Sequence, residues 1–400
     1  MAVWLLAFVV SLGLAALALM AFAQRRHLAG PSPGPPGTRG GVSILKPLKG
    51  VDAGLEGNLA SFFTLDYPEY EVLLGVRDAD DPAVDVARRV AAAHPRVPSR
   101  VVVDGREVGL NPKVNNLANL ARHARHDLLL ISDSNVRVDP GYLEDLVSHL
   151  GEEGVGLVSS PIRAGRGATV GGEIESFQLN TFVMGGVAAL HELFGGVCVV
   201  GKSMLISKSV LDRLGGFRFL GRYLAEDQVC GEAVARLGLR VALSSRPIEN
   251  TLGLLDVRGF LARHLRWARI RRRMSPAGYA GELLLQPVFL AAIGLAIMRD
   301  VRSAALLGAA VAASSLIGLV SERAAGVRRH PLAYPLLVLA RDLLVGCCWA
   351  VPFFTRRVAW RGNRFVLGPR TLLIPEAGNE ATAPSVPDDV TGGAALAGTG

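Results

Sequence analysis

The chain has 400 residues, half of them hydrophobic, and its 43 Lys+Arg against 35 Asp+Glu leave a net charge of +8. That length allows one large domain or two ordinary ones, and a mean hydropathy of +0.34 is high for a soluble enzyme. Aromatics are only 6%, too few for a base-stacking platform. The arginines cluster beside apolar runs, which fits an anionic membrane face and excludes nucleic acid as the expected partner.

Residues 1–24 read as a transmembrane anchor, because positions 2–23 form an uncharged apolar run long enough to span a bilayer. A cleaved signal peptide competes, since Ala21-Phe22-Ala23 imitates a cleavage site. The missing basic n-region and the trailing Arg25-Arg26-His27 favour the anchor and place its C-terminal end in the cytosol. Residues 25–40 are a Pro/Gly linker. From 41 to 255, short β-branched runs alternate with helical stretches. VSILK, YEVLLGV, RVVVD, DLLLIS and VGLVSS read as strands; LEGNLASFFTL, AVDVARRVAAA, KVNNLANLARHA and GYLEDLVSHL read as helices. This alternation predicts an α/β doubly wound, mostly parallel sheet. No GxGxxG follows the first strand, so a dinucleotide site is not expected.

Residues 256–277 are strongly basic and amphipathic and read as an interfacial helix. Residues 278–355 supply further membrane helices. The last of these carries Arg341-Asp342 at its middle, a pair expected to neutralise itself or face protein. Basic segments flank it, Arg323 to His330 and Arg356 to Arg364, so positive-inside logic predicts a re-entrant hairpin with both ends cytosolic. Residues 356–374, with WRGNRF, then form a cytosolic segment, and the Ala/Gly/Thr/Pro-rich tail at 375–400 reads as disordered. Cys198, Cys230, Cys347 and Cys348 lack metal-ligand spacing, which fits a reducing compartment.

Carboxylate clusters then stand in order along the α/β region. Asp78, Asp80 and Asp81 follow the second strand. Alone they suit first an Asp-rich turn capping the next helix, and a carboxylate here can also grip a ribose or base edge. Asp133-Ser134-Asn135 follows a fully apolar strand. It is either an Asx-turn or a carboxylate–x–oxygen step offering two ligands to a hard cation such as Mg²⁺ or Mn²⁺. Glu226-Asp227 opens an amphipathic helix, where acids suit the helix dipole and where a carboxylate can act as general base. Lys113, in a loop after Asn111-Pro112, can reach a pyrimidine carbonyl or a phosphate, while Asn111 can cap the following helix. Arg263 and Arg266 fall on one helix face with Trp267 beside them, able to hold a diphosphate or to anchor an interfacial helix. Acids at several strand ends with arginines downstream point to sugar transfer from a nucleotide diphosphate.

Longer strings carry a resemblance: SILKPLKGVD, FFTLDYPEYEVLLGVRDADDPAVDV, GLNPKVNNL, ISDSNVRV, the AED of YLAEDQ, RHLRWARIRRRMSPA and WRGNRF. From about Ser43 to Phe365 the chain resembles the ceramide glucosyltransferase family of membrane GT-A enzymes, relatives of the bacterial hopanoid glycosyltransferases. The resemblance implies that Asp81, Asp133 and Asp227 are the family's three acids, with Asp78 also in the first loop, and that Arg263, Arg266 and Trp267 are its closing motif. It implies a UDP-hexose donor held by Asp78, Asp81, Lys113 and Asp133, and Mg²⁺ or Mn²⁺ on Asp133. It also implies inversion at the anomeric carbon with Asp227 as base, and a ceramide-like lipid acceptor. A hopanoid-type transfer of N-acetylglucosamine and, further off, a metal-dependent nucleotidyl or phosphoryl transfer to a lipid phosphate are the alternatives. Asn135 stands where a generic GT-A site has a second Asp. The Ala/Arg/Gly richness suggests a GC-rich bacterium, hence an inner-membrane protein with a cytosolic catalytic domain.

Overall fold

The computed structural model describes residues 1–32, 34, 40–360 and 362–376. The linker expected at 25–40 lies partly, and the tail at 375–400 almost wholly, outside these residues. The anchor helix itself runs on through Leu28.

The central sheet holds β1 (Val42–Pro47), β2 (Tyr70–Val76), β3 (Ser99–Val103), β4 (Leu128–Ser132), β5 (Val155–Ser159), β6 (Ser203–Ser207) and β7 (Arg240–Leu243). Their order is β3-β2-β1-β4-β6-β5-β7. All neighbours are parallel except β6, which runs antiparallel to both β4 and β5. The runs read as strands in the sequence are all here; β6 and β7 were not anticipated. Side-chain alternation explains the uninterrupted apolar runs: Val42, Ile44, Val72 and Leu74 fill the core on one face, Leu45 and Leu73 the core on the other. A strand buried on both faces has no polar positions to alternate with.

The chain order reverses at β1, which has β2 on one side and β4 on the other. A parallel sheet opens a ligand crevice at such a switch point, outside the strands' C-terminal ends. Lys46 near the end of β1, the Asp78–Asp81 loop after β2 and Asp133 after β4 all reach that crevice.

The helices that matter for the site and for the membrane are α1 (Ala2–Leu28), α2 (Pro112–Ala121), α3 (Val170–Gln178), α4 (Met184–Phe194), α5 (Glu226–Arg236), α6 (Val257–Met274), α7 (Pro287–Met298), α8 (Val301–Ala324) and α9 (Ala333–Ala350). Among the described residues, three helical segments are long and apolar enough to cross a membrane: Ala2–Leu28, Val301–Ala324 and Ala333–Phe353. Trp4, Phe8, Leu316 and Leu336 project from them at 62–71% exposure, an apolar belt of the kind that a membrane covers. A fourth apolar stretch breaks at Gln286-Pro287, where Pro276–Leu285 and Pro287–Met298 meet at 68°. Proline removes the backbone donor a continuous helix needs there.

The first helix is bound to the rest of the protein by polar contacts as well as apolar ones. Gln24 donates to the carbonyls of Asn180 and Ser321 at 3.0 Å each. His27 sits 2.9 Å from Glu192 Oε1 and 2.9 Å from the Ser244 carbonyl. Within α9, Arg341 and Asp342 are both buried and pair at 2.6 Å. Arg341 also donates to Gln178 Oε1 at 3.3 Å, and Asp342 accepts the Val288 N–H at 3.2 Å. The pair therefore both neutralises itself and faces protein. α9 packs along α6 and α3 instead of leading away from the sheet domain.

Candidate active site

One cleft of about 920 Å³ opens at the strand ends and is lined by Asp78, Asp81, Lys113, Asp133, Asp227, Arg263, Arg266 and Trp267. Residues scattered over nearly 190 positions of sequence thus share one surface, and their local settings differ sharply.

Asp81 is held in a turn. Its Oδ1 accepts the Gly50 and Ala83 N–H groups at 2.9 Å each, so it starts the helix Ala83–Ala93 and ties the loops after β1 and β2 together. The capping role and a place in the cleft coexist. Asp78 is solvent-exposed at the rim, 3.8 Å from Arg77 Nε.

α2 begins with Asn111, whose Oδ1 accepts the N–H groups of Lys113 and Val114. Its Nδ2 donates to Glu226 Oε2 at 3.2 Å. Capping thus fixes where Lys113 points. The ammonium of Lys113 lies within the cleft wall. It lies 2.9 Å from Asp133 Oδ1, 3.0 Å from Glu226 Oε1 and 2.8 Å from the Gly201 carbonyl. An ammonium has three donors, and all three are in use inside the protein. Burial alone would depress the Lys113 pKa; the surrounding charges of Asp133, Glu226 and Asp227 outweigh it and raise the pKa instead. Lys113 is the bridge that joins the second acid cluster to the third.

Asp227 stands in the first turn of α5. Its Oδ2 accepts the Gly201 N–H and its Oδ1 the Gln228 N–H, both at 2.8 Å. Gly201 is required here: a Cβ on it would lie 2.5 Å from Asp227 Oδ2. Burial, then the neighbouring charge of Glu226, push the Asp227 pKa up to about 6, with Lys113 opposing. A carboxylate with that pKa is ionised near neutrality yet basic enough to take a proton.

Asp133 is ringed by ammonium groups that sequence reasoning missed. Besides Lys113, Lys46 donates to its carbonyl at 2.6 Å and Lys202 lies 3.4 Å from Oδ2. Lys46 is fully buried with its ammonium 3.8 Å over the Phe62 ring, and burial holds its pKa well below the ordinary lysine value. Asp133 and Asn135 turn oxygens, the atoms a hard cation takes, toward one point, with a single carboxylate charge between them. A cation already marks that point: Lys202 Nζ is 2.7 Å from Asn135 Oδ1.

Arg263 and His264 rise from α6 to meet a carboxylate absent from the sequence expectations, Glu175 of α3. Arg263 Nη1 lies 2.8 Å from Glu175 Oε1, and His264 Nε2 lies 2.7 Å from Oε2. Burial works to raise the Glu175 pKa, but the hydrogen bond from His264 and the charges of His264 and Arg263 prevail and hold it below the usual carboxylate value. Trp267 packs partly against the sheet core and meets His264 edge-on at 5.3 Å. Its partial exposure to the cleft predicts that Trp267→Phe loses most transfer activity while membrane association is unchanged. Activity close to wild type, with co-sedimentation intact, would reduce Trp267 to an anchor.

The C-terminal segment contributes more than its sequence suggested. Arg357–Trp360, Asn363–Leu367 and Leu373–Pro375 form a small antiparallel sheet. Thr371 accepts the Leu224 N–H at its carbonyl and the Ala225 N–H at its hydroxyl, clamping the loop just before Glu226-Asp227. Trp360 and Asn363 join the cleft wall. The sequence signal for this segment was WRGNRF, one of the strings that carry the family resemblance.

The family model of glycosyl transferase family 21 matches residues 3–373. The chain belongs to that family. Among the chain's relatives, ceramide glucosyltransferase 3 of Caenorhabditis elegans is 34% identical over 237 residues, covering 59% of this chain and 51% of its own length. The ceramide glucosyltransferase of Komagataella phaffii is 28% identical over 310 residues, covering 63% of this chain and 60% of its own. The chain spans about half the length of the C. elegans proteins it matches. A solved mannosyltransferase from Pyrobaculum calidifontis, in complex with GDP-Man and Mn²⁺, has the same GT-A fold: TM-score 0.52, 19% identity, 88% of this chain and 99% of that one.

Proposed function

We propose that this family 21 protein moves a hexose from a UDP-sugar to the primary hydroxyl of ceramide or a similar membrane lipid, with inversion at the anomeric carbon. Glucose is the first candidate, after the relatives' names. The observation that carries this reading is where the cleft leads. Gly278, Tyr279 and Glu282 line its far end. The chain continues from there into Glu282–Leu285, which lies against the middle of α1. Leu284 O would be 2.1 Å from a Cβ at Gly13, so only glycine permits the approach. The cleft therefore joins the strand ends to the depth of a membrane helix, and a lipid hydroxyl can reach Asp227 while its chains stay in the bilayer.

In this reading uridine lies by Asp78 and Asp81, and the diphosphate over the lysine-rich floor at Asp133. Asp227 takes the proton of the lipid hydroxyl. The freed oxygen attacks the anomeric carbon in line, the bond to the UDP oxygen breaks on the opposite face, and one displacement inverts the centre. Arg263 and Arg266 stabilise the charge gathering on departing UDP. Held by Asp133 and Asn135, Mg²⁺ or Mn²⁺ would neutralise part of that leaving-group charge. Lys113 keeps Asp133 and Glu226 at fixed separation. The basic residues at the end of α1 and between α8 and α9 support a cytosolic catalytic domain in an inner membrane.

One experiment tests substrate and orientation together. Sealed inside-out vesicles carrying the protein and ceramide, given a panel of impermeant UDP-sugars, should yield one glycosylated lipid by mass spectrometry. Sealed right-side-out vesicles should yield none. No glycolipid with any donor sinks the proposed activity; product only in right-side-out vesicles reverses the topology.

A further inference from the structure

Building on the cation site just proposed, we infer that Lys202 is a resident cation of the metal position, one that a divalent ion must displace. The fold leaves Lys202 little choice of place. Ser203 pairs with Ser132 across the antiparallel β6–β4 contact, so the residue before Ser203 stands beside the residue after Ser132. Its side chain is 18% exposed, and its ammonium is 2.7 Å from Asn135 Oδ1 and 3.4 Å from Asp133 Oδ2. The residue on its other side, Gly201, holds Asp227 through its N–H and Lys113 through its carbonyl. The backbone that positions the base thus also positions this ammonium.

Charge explains why the ammonium settles there. A second carboxylate at position 135 would give the point two negative charges and favour a divalent ion. Asn135 offers an oxygen without a charge, and its Nδ2 donates to Asn250 Oδ1 at 3.0 Å, which turns Oδ1 toward Lys202. Asp133 already faces Lys113 and has Lys46 on its carbonyl. A monovalent ammonium suits what is left. A divalent ion cannot share the point with it, because like charges a few ångströms apart in a partly buried site repel strongly. The donor's diphosphate changes the balance: its oxygens can receive the displaced ammonium and ligate the metal together. Metal and donor then enter cooperatively, and the empty enzyme does not hold a metal ready to activate water.

Mn²⁺ binding, followed by electron paramagnetic resonance on the full-length protein in detergent, reads this directly without turnover. Without nucleotide, Lys202→Met should bind Mn²⁺ about tenfold or more tightly than wild type, since a unit charge beside the ion is gone. Lys202→Gln should follow it, and Lys202→Arg, which keeps the charge, should stay near wild type. Added UDP should narrow the gap. Equal Mn²⁺ affinity in wild type, Lys202→Met and Lys202→Gln overturns the Lys202 inference alone. Absence of Mn²⁺ binding in every variant, with and without UDP, overturns it together with the cation site at Asp133.

Discussion

Asp227→Asn should lower lipid glycosylation by about 10²–10⁴-fold, the usual contribution of a general base, while UDP-sugar binding persists. The substitution keeps volume and removes basicity. One oxygen remains to accept either the Gly201 or the Gln228 N–H, both of which Asp227 now holds at 2.8 Å, so the loop carrying Lys202 is disturbed little. The pH profile is the sharper test. With its pKa pushed up to about 6, Asp227 is deprotonated above that pH and protonated below it. The wild-type rate should therefore fall as pH drops through about 6 and level off above it, and the residual rate of Asp227→Asn should lack that limb. Initial rates from pH 5 to 8, with donor binding measured by calorimetry, decide the matter. Near-normal turnover in the variant, or the same acid limb in both proteins, would remove Asp227 from the mechanism.

The second large effect belongs to Glu175, a positioning residue. Its side chain is fully buried and engages Arg263 and His264. Glu175→Ala leaves a guanidinium and an imidazole without their acceptor in a mostly dry setting. Breaking such a pair from one side costs on the order of 3 kcal/mol. A lowered thermal midpoint is expected, and the greater part of activity should go with it, because Arg263, Arg266 and Trp267 share the helix that Glu175 holds. Glu175→Gln separates the two roles. It keeps the volume and one acceptor oxygen, so the melting temperature should recover more than the turnover. Wild-type stability and turnover in Glu175→Ala would show that the α3–α6 contact does not set the site.

Much of this was legible in the chain because it is written locally. A strand buried on both faces must be a continuous apolar run, so YEVLLGV and DLLLIS announced β2 and β4. The acids that follow a parallel strand must fall at its C-terminal end, so Asp78, Asp81 and Asp133 could be assigned to one crevice before any contact was known. Asn111 before Pro112 is a helix start by its own chemistry, and the uncharged run at the N-terminus is long enough to cross a bilayer. Other features had no local sign. Ser203–Ser207 is a short apolar run among others, and only its fit between β4 and β5 makes it a strand. Glu175 reads as one more acid on an amphipathic helix until Arg263 and His264 arrive from about ninety residues away. For Lys113 the sequence shows a side chain's reach and not the acceptors, Asp133, Glu226 and the Gly201 carbonyl, that surround it. Lys46 and Lys202 are ordinary lysines in sequence. Tertiary structure alone made them cations of the site, because the cost of burying an ammonium is offset only where distant segments bring oxygens to meet it.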